Sequence, residues 1–239
     1  MNPLERLIVA LDVDSEERAL NLVDELKAIV KIFKVGSELF TSAGPEIIEK
    51  ILAQGSSIFL DLKFHDIPNT VAKAARAAAR LGVSIFNVHA LGGYEMMKTT
   101  MEAVNDEAKI LRIDRPKVLA VTILTSMDEE KLKTIGIDED VETQVLRLAN
   151  LAKDAGLDGV IASPREIKLI RKNFGKDFVI ITPGVRPAWA SSDDQRRIAA
   201  PREAIRDGAD HIVVGRPIIE AKDPTEAARR ILEEISEGE

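Results

Sequence analysis

The 239-residue chain is 45% apolar and 31% charged, with 33 Lys plus Arg against 40 Asp plus Glu and a formal net charge of -7. A surface of that sign repels nucleic acid and anionic membrane, so an anionic ligand has to be held by local groups. The lack of cysteine removes disulfides, thiolate nucleophiles and thiolate metal sites and fits a reducing, cytoplasmic setting, while the apolar content suits a single domain over residues 1–239.

The opening residues 1–11 carry a five-residue apolar run, too short for a signal-peptide core, and no later run approaches a membrane span. That run, Leu7–Leu11, reads as the first strand and ends at Asp12. Asp14 and Glu17 stand three apart, as in a capping box, and open an amphipathic helix over Glu16–Ile29. The second strand, Ile32–Val35, carries Lys34, and the third, Ile58–Leu62, runs into D-L-K-F-H-D at Asp61 to Asp66. Side chains two apart on a strand share a face, so Asp61 and Lys63 point the same way, with Asp66 in the following turn. On local signals Asp66 is the helix N-cap ahead of Pro68. An ionised group taken out of water costs several kcal/mol unless paired, so this cluster is either a structural ion network or a working site.

A helix over Val71–Arg80 leads to a strand at Ile85–Val88 that ends at His89, and a fifth strand, Val118–Ile123, leads to Ser126. Then follow a helix over Val141–Ala155, strands at Gly159–Ile161, Val179–Ile181 and His211–Val214, and a helix over Thr225–Ile235. Eight such β/α units match a closed (β/α)8 TIM barrel better than an open sheet, which stays as the alternative. In a barrel, chemistry collects at the C-terminal ends of the strands. Asp12, Lys34, Asp61, Lys63, His89 and Ser126 obey that rule, and Pro183-Gly184 and Gly215-Arg216 follow the last two strands, where such barrels bind phosphate. Two segments, Pro183–Ala200 and Ser126–Asp138, are too long for connectors and read as covers over a ligand. The single tryptophan, Trp189, lies in the first of them, as a seal on the site, a subunit contact or a packing residue. His65, His89 and His211 read as packed or hydrogen-bonded rather than catalytic. No G-x-G-x-x-G, G-x-x-x-x-G-K-[ST], G-x-S-x-G or H-E-x-x-H is present.

Taken together, A-L-D-V at Ala10 to Val13, F-K-V-G at Phe33 to Gly36, D-L-K-F-H-D-I-P-N-T at Asp61 to Thr70, N-V-H-A at Asn87 to Ala90, L-T-S-M at Leu124 to Met127, T-P-G-V-R-P at Thr182 to Pro187, D-Q-R-R at Asp194 to Arg197 and V-G-R-P-I at Val214 to Ile218 run nearly end to end. In that order they make the chain similar to the orotidine 5'-phosphate decarboxylases of the short bacterial type. The resemblance implies a reaction that makes uridine 5'-phosphate without metal or organic cofactor. It implies that Lys34, Asp61, Lys63 and Asp66 form an alternating charged array, with Asp66, Ile67 and Thr70 entering the site of the other subunit of a homodimer. Asp12 and Lys34 would hold ribose hydroxyls, Ser126 the pyrimidine edge and Pro183 the pyrimidine end of the pocket. Gln195, Gly215 and Arg216 would grip the phosphate.

Two rivals stand beside it. Sugar-phosphate relatives, the hexulose-phosphate synthases and keto-gulonate-phosphate decarboxylases, share an Asp-x-Lys-x-x-Asp segment but use magnesium, with a glutamate ligand where this chain has Lys34. A lysine there repels a divalent cation. A noncatalytic barrel that senses a phosphorylated metabolite would keep Gly215 and Arg216 but gain nothing from the costly Lys-Asp-Lys-Asp set.

Overall fold

The alternation of apolar runs and amphipathic stretches gives eight parallel strands, each hydrogen-bonded to the next in chain order and the last to the first. They are β1 (Leu7–Ala10), β2 (Ile32–Gly36), β3 (Ser57–Phe64), β4 (Ile85–His89), β5 (Lys117–Val121), β6 (Gly159–Ile161), β7 (Val179–Thr182) and β8 (His211–Val214). The computed structural model describes residues 3–187, 189 and 199–238. The TIM barrel is therefore the architecture, and the open sheet is excluded.

The period-2 alternation of the strands sorts their side chains into two cores. Ile8, Ala10, Phe59, Ile85, Leu119, Val121, Ile161, Ile181 and Val213 fill the cylinder. Their neighbours one residue along, such as Val9, Phe33, Leu60, Phe86 and Val160, pack outward against the helices. The inward series on β1 to β4 continues upward as Asp12, Lys34, Asp61 with Lys63, and Asn87, so the interior turns polar toward the C-terminal ends of these strands. Gly159 makes the crowded β6–β7 pairing possible, since a Cβ there would lie 2.0 Å from the Val179 carbonyl oxygen.

The opposite end is tied by two matched clamps. Asp158 precedes β6, receives Arg115 through both carboxylate oxygens at 2.7 and 2.6 Å, and accepts the Val118 N–H of β5 at 2.7 Å. Asp210 precedes β8 and through a single oxygen, Oδ2, accepts Arg171 at 2.7 Å and the Ile180 N–H of β7 at 2.8 Å. His211 is packed at this end, its Nδ1 2.7 Å from the Glu5 carbonyl, and burial lowers its pKa.

Several sequence expectations need correction. The helix after β1, Glu16–Leu26, is capped by Ser15, whose hydroxyl accepts from the Arg18 N–H, and not by Asp14. Helix Pro68–Arg80 has Ile67 as its N-cap, because a proline in the first helical position makes the residue just before it the cap; Asp66 lies one residue too early and accepts the Ile67 N–H instead. The segment Ser126–Asp138 is not structureless, since Asp128 caps a short helix, Glu129–Thr134. Trp189 lies against the last helix, Pro224–Ser236, with the Arg230 guanidinium 4.4 Å from its ring centre, and keeps 39% of its surface exposed. Helices Pro68–Arg80 and Gly93–Leu111 pack extensively on each other, with buried Glu107 between Arg76 and Arg80 at 3.1 and 2.7 Å.

Candidate active site

At the C-terminal mouth the barrel opens into a cavity of about 320 Å³, within the range that holds small ligands. Its floor is apolar, made by Ala10, Phe59, Val121, Ile161 and Val213. Its walls differ. The side formed by β1 to β3 presents Asp12, Lys34, Asp61 and Lys63, whereas the side formed after β5 to β7 presents Ile123, Leu124, Thr125, Ala162, Pro183 and Gly184.

The charged wall is one continuous network. Lys34 Nζ lies 2.8 Å from Asp12 Oδ1 and 3.4 Å from Asp61 Oδ2, and Lys63 Nζ lies 2.7 Å from Asp61 Oδ1. Signs alternate along the row Asp12, Lys34, Asp61, Lys63, and its formal charge sums to zero. Lys34 is buried to 9% side-chain exposure, and burial alone would lower its pKa. The attraction of Asp61 and Asp12 outweighs that penalty and holds the pKa above its ordinary value, so the ammonium stays charged. Gly36 leaves room for this pairing, since a Cβ there would stand 2.9 Å from Lys34 Nζ.

Asn87, fully buried on β4, completes the network. Its Nδ2 donates to Asp61 Oδ1 at 2.7 Å and its Oδ1 accepts the Lys63 backbone N–H at 2.8 Å. Lys63 has φ 51, in the left-handed region that non-glycine residues seldom occupy, at a break in the β3–β4 register between Leu60 and Phe64. Beside it the His65 and His89 rings stack with centroids 5.4 Å apart. Burial first, and then the charges of His65 and Lys63, push the His89 pKa down to about 4.

The other expected site residues are distributed around this centre. Pro183 lines the cavity. Ser126 does not, and instead borders an adjoining depression of about 650 Å³, where its carbonyl accepts from Lys131 Nζ at 2.6 Å. Gly215 follows β8 close to Asp12, whose Oδ2 would be 3.6 Å from a Cβ at this position, and Arg216 opens the short helix Arg216–Ile219 at the same rim. Asp66, Ile67 and Thr70 are exposed on the turn and helix after β3 and do not line the cavity of their own chain. Gln195 lies outside the described residues. Asn87 received no role from the sequence; the available signal was an amide on the inward parity of an apolar strand, two residues from Ile85 and two from His89.

Residues 5–231 match the model of the Orotidine 5'-phosphate decarboxylase / HUMPS family. A protein of Geobacter sulfurreducens named orotidine 5'-phosphate decarboxylase is 55% identical over 234 residues, covering 98% of this chain and 97% of the relative. One of the same name from Geotalea uraniireducens is 56% identical over 230 residues, or 96% of this chain and 95% of the relative. Among solved structures, the orotidine 5'-phosphate decarboxylase of Lactobacillus acidophilus superposes with a TM-score of 0.84 at 42% identity, covering 97% of this chain and 99% of that one.

Proposed function

The chain belongs to the Orotidine 5'-phosphate decarboxylase / HUMPS family and is a carboxy-lyase of pyrimidine biosynthesis, and from that premise we propose that it converts orotidine 5'-phosphate to uridine 5'-phosphate with no metal or organic cofactor. The observation that carries the reading is the alternating row Asp12, Lys34, Asp61, Lys63 facing an apolar wall across one small cavity. A flat heterocycle with a charged substituent on one edge has those two sides. Lys34 already supplies a fixed cation between Asp12 and Asp61, where a divalent ion would be repelled.

The chemistry follows from charge. When the bond from C6 to the carboxylate breaks, carbon dioxide leaves neutral and the electron pair stays in an in-plane orbital that the ring delocalises poorly. The Lys63 ammonium, placed beside C6, stabilises that pair and then supplies the proton that forms the C6–H bond. Its side chain is 39% exposed, which lets solvent return the proton. Asp61 stands near the departing carboxylate; two such charges about 4 Å apart repel by roughly 4 kcal/mol at an effective dielectric near 20, and this strain ends when the carboxylate becomes carbon dioxide. Asp12 and Lys34 hold the ribose hydroxyls, Pro183 packs on the base, Ser126 contacts its edge once the 126–138 segment moves in from the adjoining depression, and Gln195, Gly215 and Arg216 bind the phosphate. Phosphate binding remote from C6 then contributes to turnover as well as affinity.

Asp66 completes the array from a second copy of the chain in a cytoplasmic homodimer, with Ile67 and Thr70 crossing beside it. Exposed Ile67, Leu91 and Tyr94 flank the mouth after β3 and β4, and their apolar surface supports burial there.

Purified protein in excess chelator should bleach the ultraviolet absorbance of orotidine 5'-phosphate, and Lys63→Ala should abolish turnover with the fold intact. A magnesium requirement would favour the sugar-phosphate relatives, and binding without turnover a sensor. Mixing Asp66→Ala with Lys63→Ala chains should restore part of the activity; no recovery would place Asp66 in its own chain's site.

A further inference from the structure

Lys63 occupies a left-handed backbone conformation that is strained for a non-glycine residue, so neighbouring structure has to hold it there. The group in position to do so is Asn87. Its side chain bridges the Lys63 main chain, at 2.8 Å, and the carboxylate that pairs with the Lys63 ammonium, at 2.7 Å. Asp61 Oδ1 thus receives Lys63 Nζ and Asn87 Nδ2 together, and Asn87 returns its oxygen to Lys63 N. The bonds close a ring through the two charged side chains.

A primary amide suits this place for a chemical reason. It carries a donor and an acceptor on one short planar group with no charge of its own, so it fits between an anion and a peptide N–H without upsetting the row. A carboxylate would set a second negative charge against Asp61, a hydroxyl is too short to span both bonds, and an apolar side chain would leave the Asp61 and Lys63 groups short of partners in a dry place. Asn87 has 0% exposure, and water does not substitute for it without rearrangement.

We propose that Asn87 is a positioning residue for the decarboxylation: it locks Lys63 in the left-handed conformation at the β3 register break and fixes Asp61, aiming the ammonium at the cavity. The inference rests on the reaction proposed above. Asn87 touches no substrate; it acts through Lys63 and Asp61. Misplacing a reacting group by about 1 Å costs on the order of 10²-fold.

The test uses the full chain with Asn87→Ala and Asn87→Ser. Turnover per folded site, with the folded fraction fixed by urea unfolding, should drop by about 10- to 100-fold. The dissociation constant for uridine 5'-phosphate should stay within roughly threefold, because ribose and phosphate contacts lie elsewhere. Crystal structures of the variants should show Lys63 at negative φ, or its ammonium away from Asp61. Turnover per folded site equal to wild type would overturn the proposal, as would a parallel loss of binding and turnover, which would mark Asn87 as a general structural residue. If the wild type itself fails to decarboxylate, the parent reading falls. Lys63 keeping both its present φ and its ammonium at Asp61 in both variants would overturn the positioning role on its own.

Discussion

Replacing Asp61 by asparagine removes the anion that links both lysines. At an effective dielectric near 20, unit charges 2.7 and 3.4 Å apart attract by about 6 and about 5 kcal/mol, a gross loss of roughly 11 kcal/mol. Most of that is offset, because Asp61 and Lys34 gave up several kcal/mol of hydration on folding. Lys34 keeps Asp12 at 2.8 Å, and Lys63, at 39% exposure, takes up water again. The net destabilisation should therefore fall at the low end of that for unpairing a buried charge, about 3 kcal/mol. Urea unfolding reads this directly: the midpoint should drop by about 1 M at an unchanged slope near 3 kcal/mol per M. In the same variant turnover should fall by about 10²- to 10³-fold, as when one preorganised electrostatic contact is lost. A midpoint that is unchanged or higher would show that hydration outweighs attraction in the row, and the account of Asp61 as its keystone would be wrong.

Gly159→Ala brings a Cβ to 2.0 Å from the Val179 carbonyl oxygen and 2.8 Å from Leu119 Cδ2, backbone and core that cannot yield, so stability should fall by about 3 kcal/mol or more and a normal melting curve would refute the close approach. Gly36→Ala presses on the flexible end of Lys34, so stability should change by less than about 1 kcal/mol while kcat/KM drops about tenfold; a stability loss with full activity would contradict this. His89 makes stability depend on acidity. Its folded pKa of about 4 lies below the unfolded 6.5, so its contribution is complete above pH 6.5 and lost as pH falls toward 4, where the unfolded chain binds a proton that the folded chain refuses. His89→Gln should flatten urea midpoints over that window, and an unaltered acid slope would exclude His89 as the cause.

The barrel was legible because its strands are short β-branched runs with one inward parity, and the charges that break that parity mark the mouth. Lys34, Asp61 and Lys63 were readable for the same reason: each sits where an apolar residue belongs. Asn87 was not, because its partners depend on how β3 slips against β4, and that slip arises at Lys63, whose side chain gives no sign of a left-handed backbone. The helix Glu129–Thr134 escaped notice since its six residues bury only Leu132, too few for a 3.6-residue period to appear. Ser15 and Asp14 are equally good caps in sequence, and only the backbone chooses between them. Asp66 gives only a local signal in the sequence, that of a turn residue or helix cap, and the cap falls instead on Ile67 because Pro68 opens the helix.

The arginine clamps on Asp158 and Asp210 lie across the full height of the cylinder from Lys63. Part of what holds the barrel shut is thereby placed far from the charged groups around the cavity. Selection can tighten or loosen the lower fastenings to match a new growth temperature while the arrangement of ammonium and carboxylate groups above stays untouched, and an engineer can do the same.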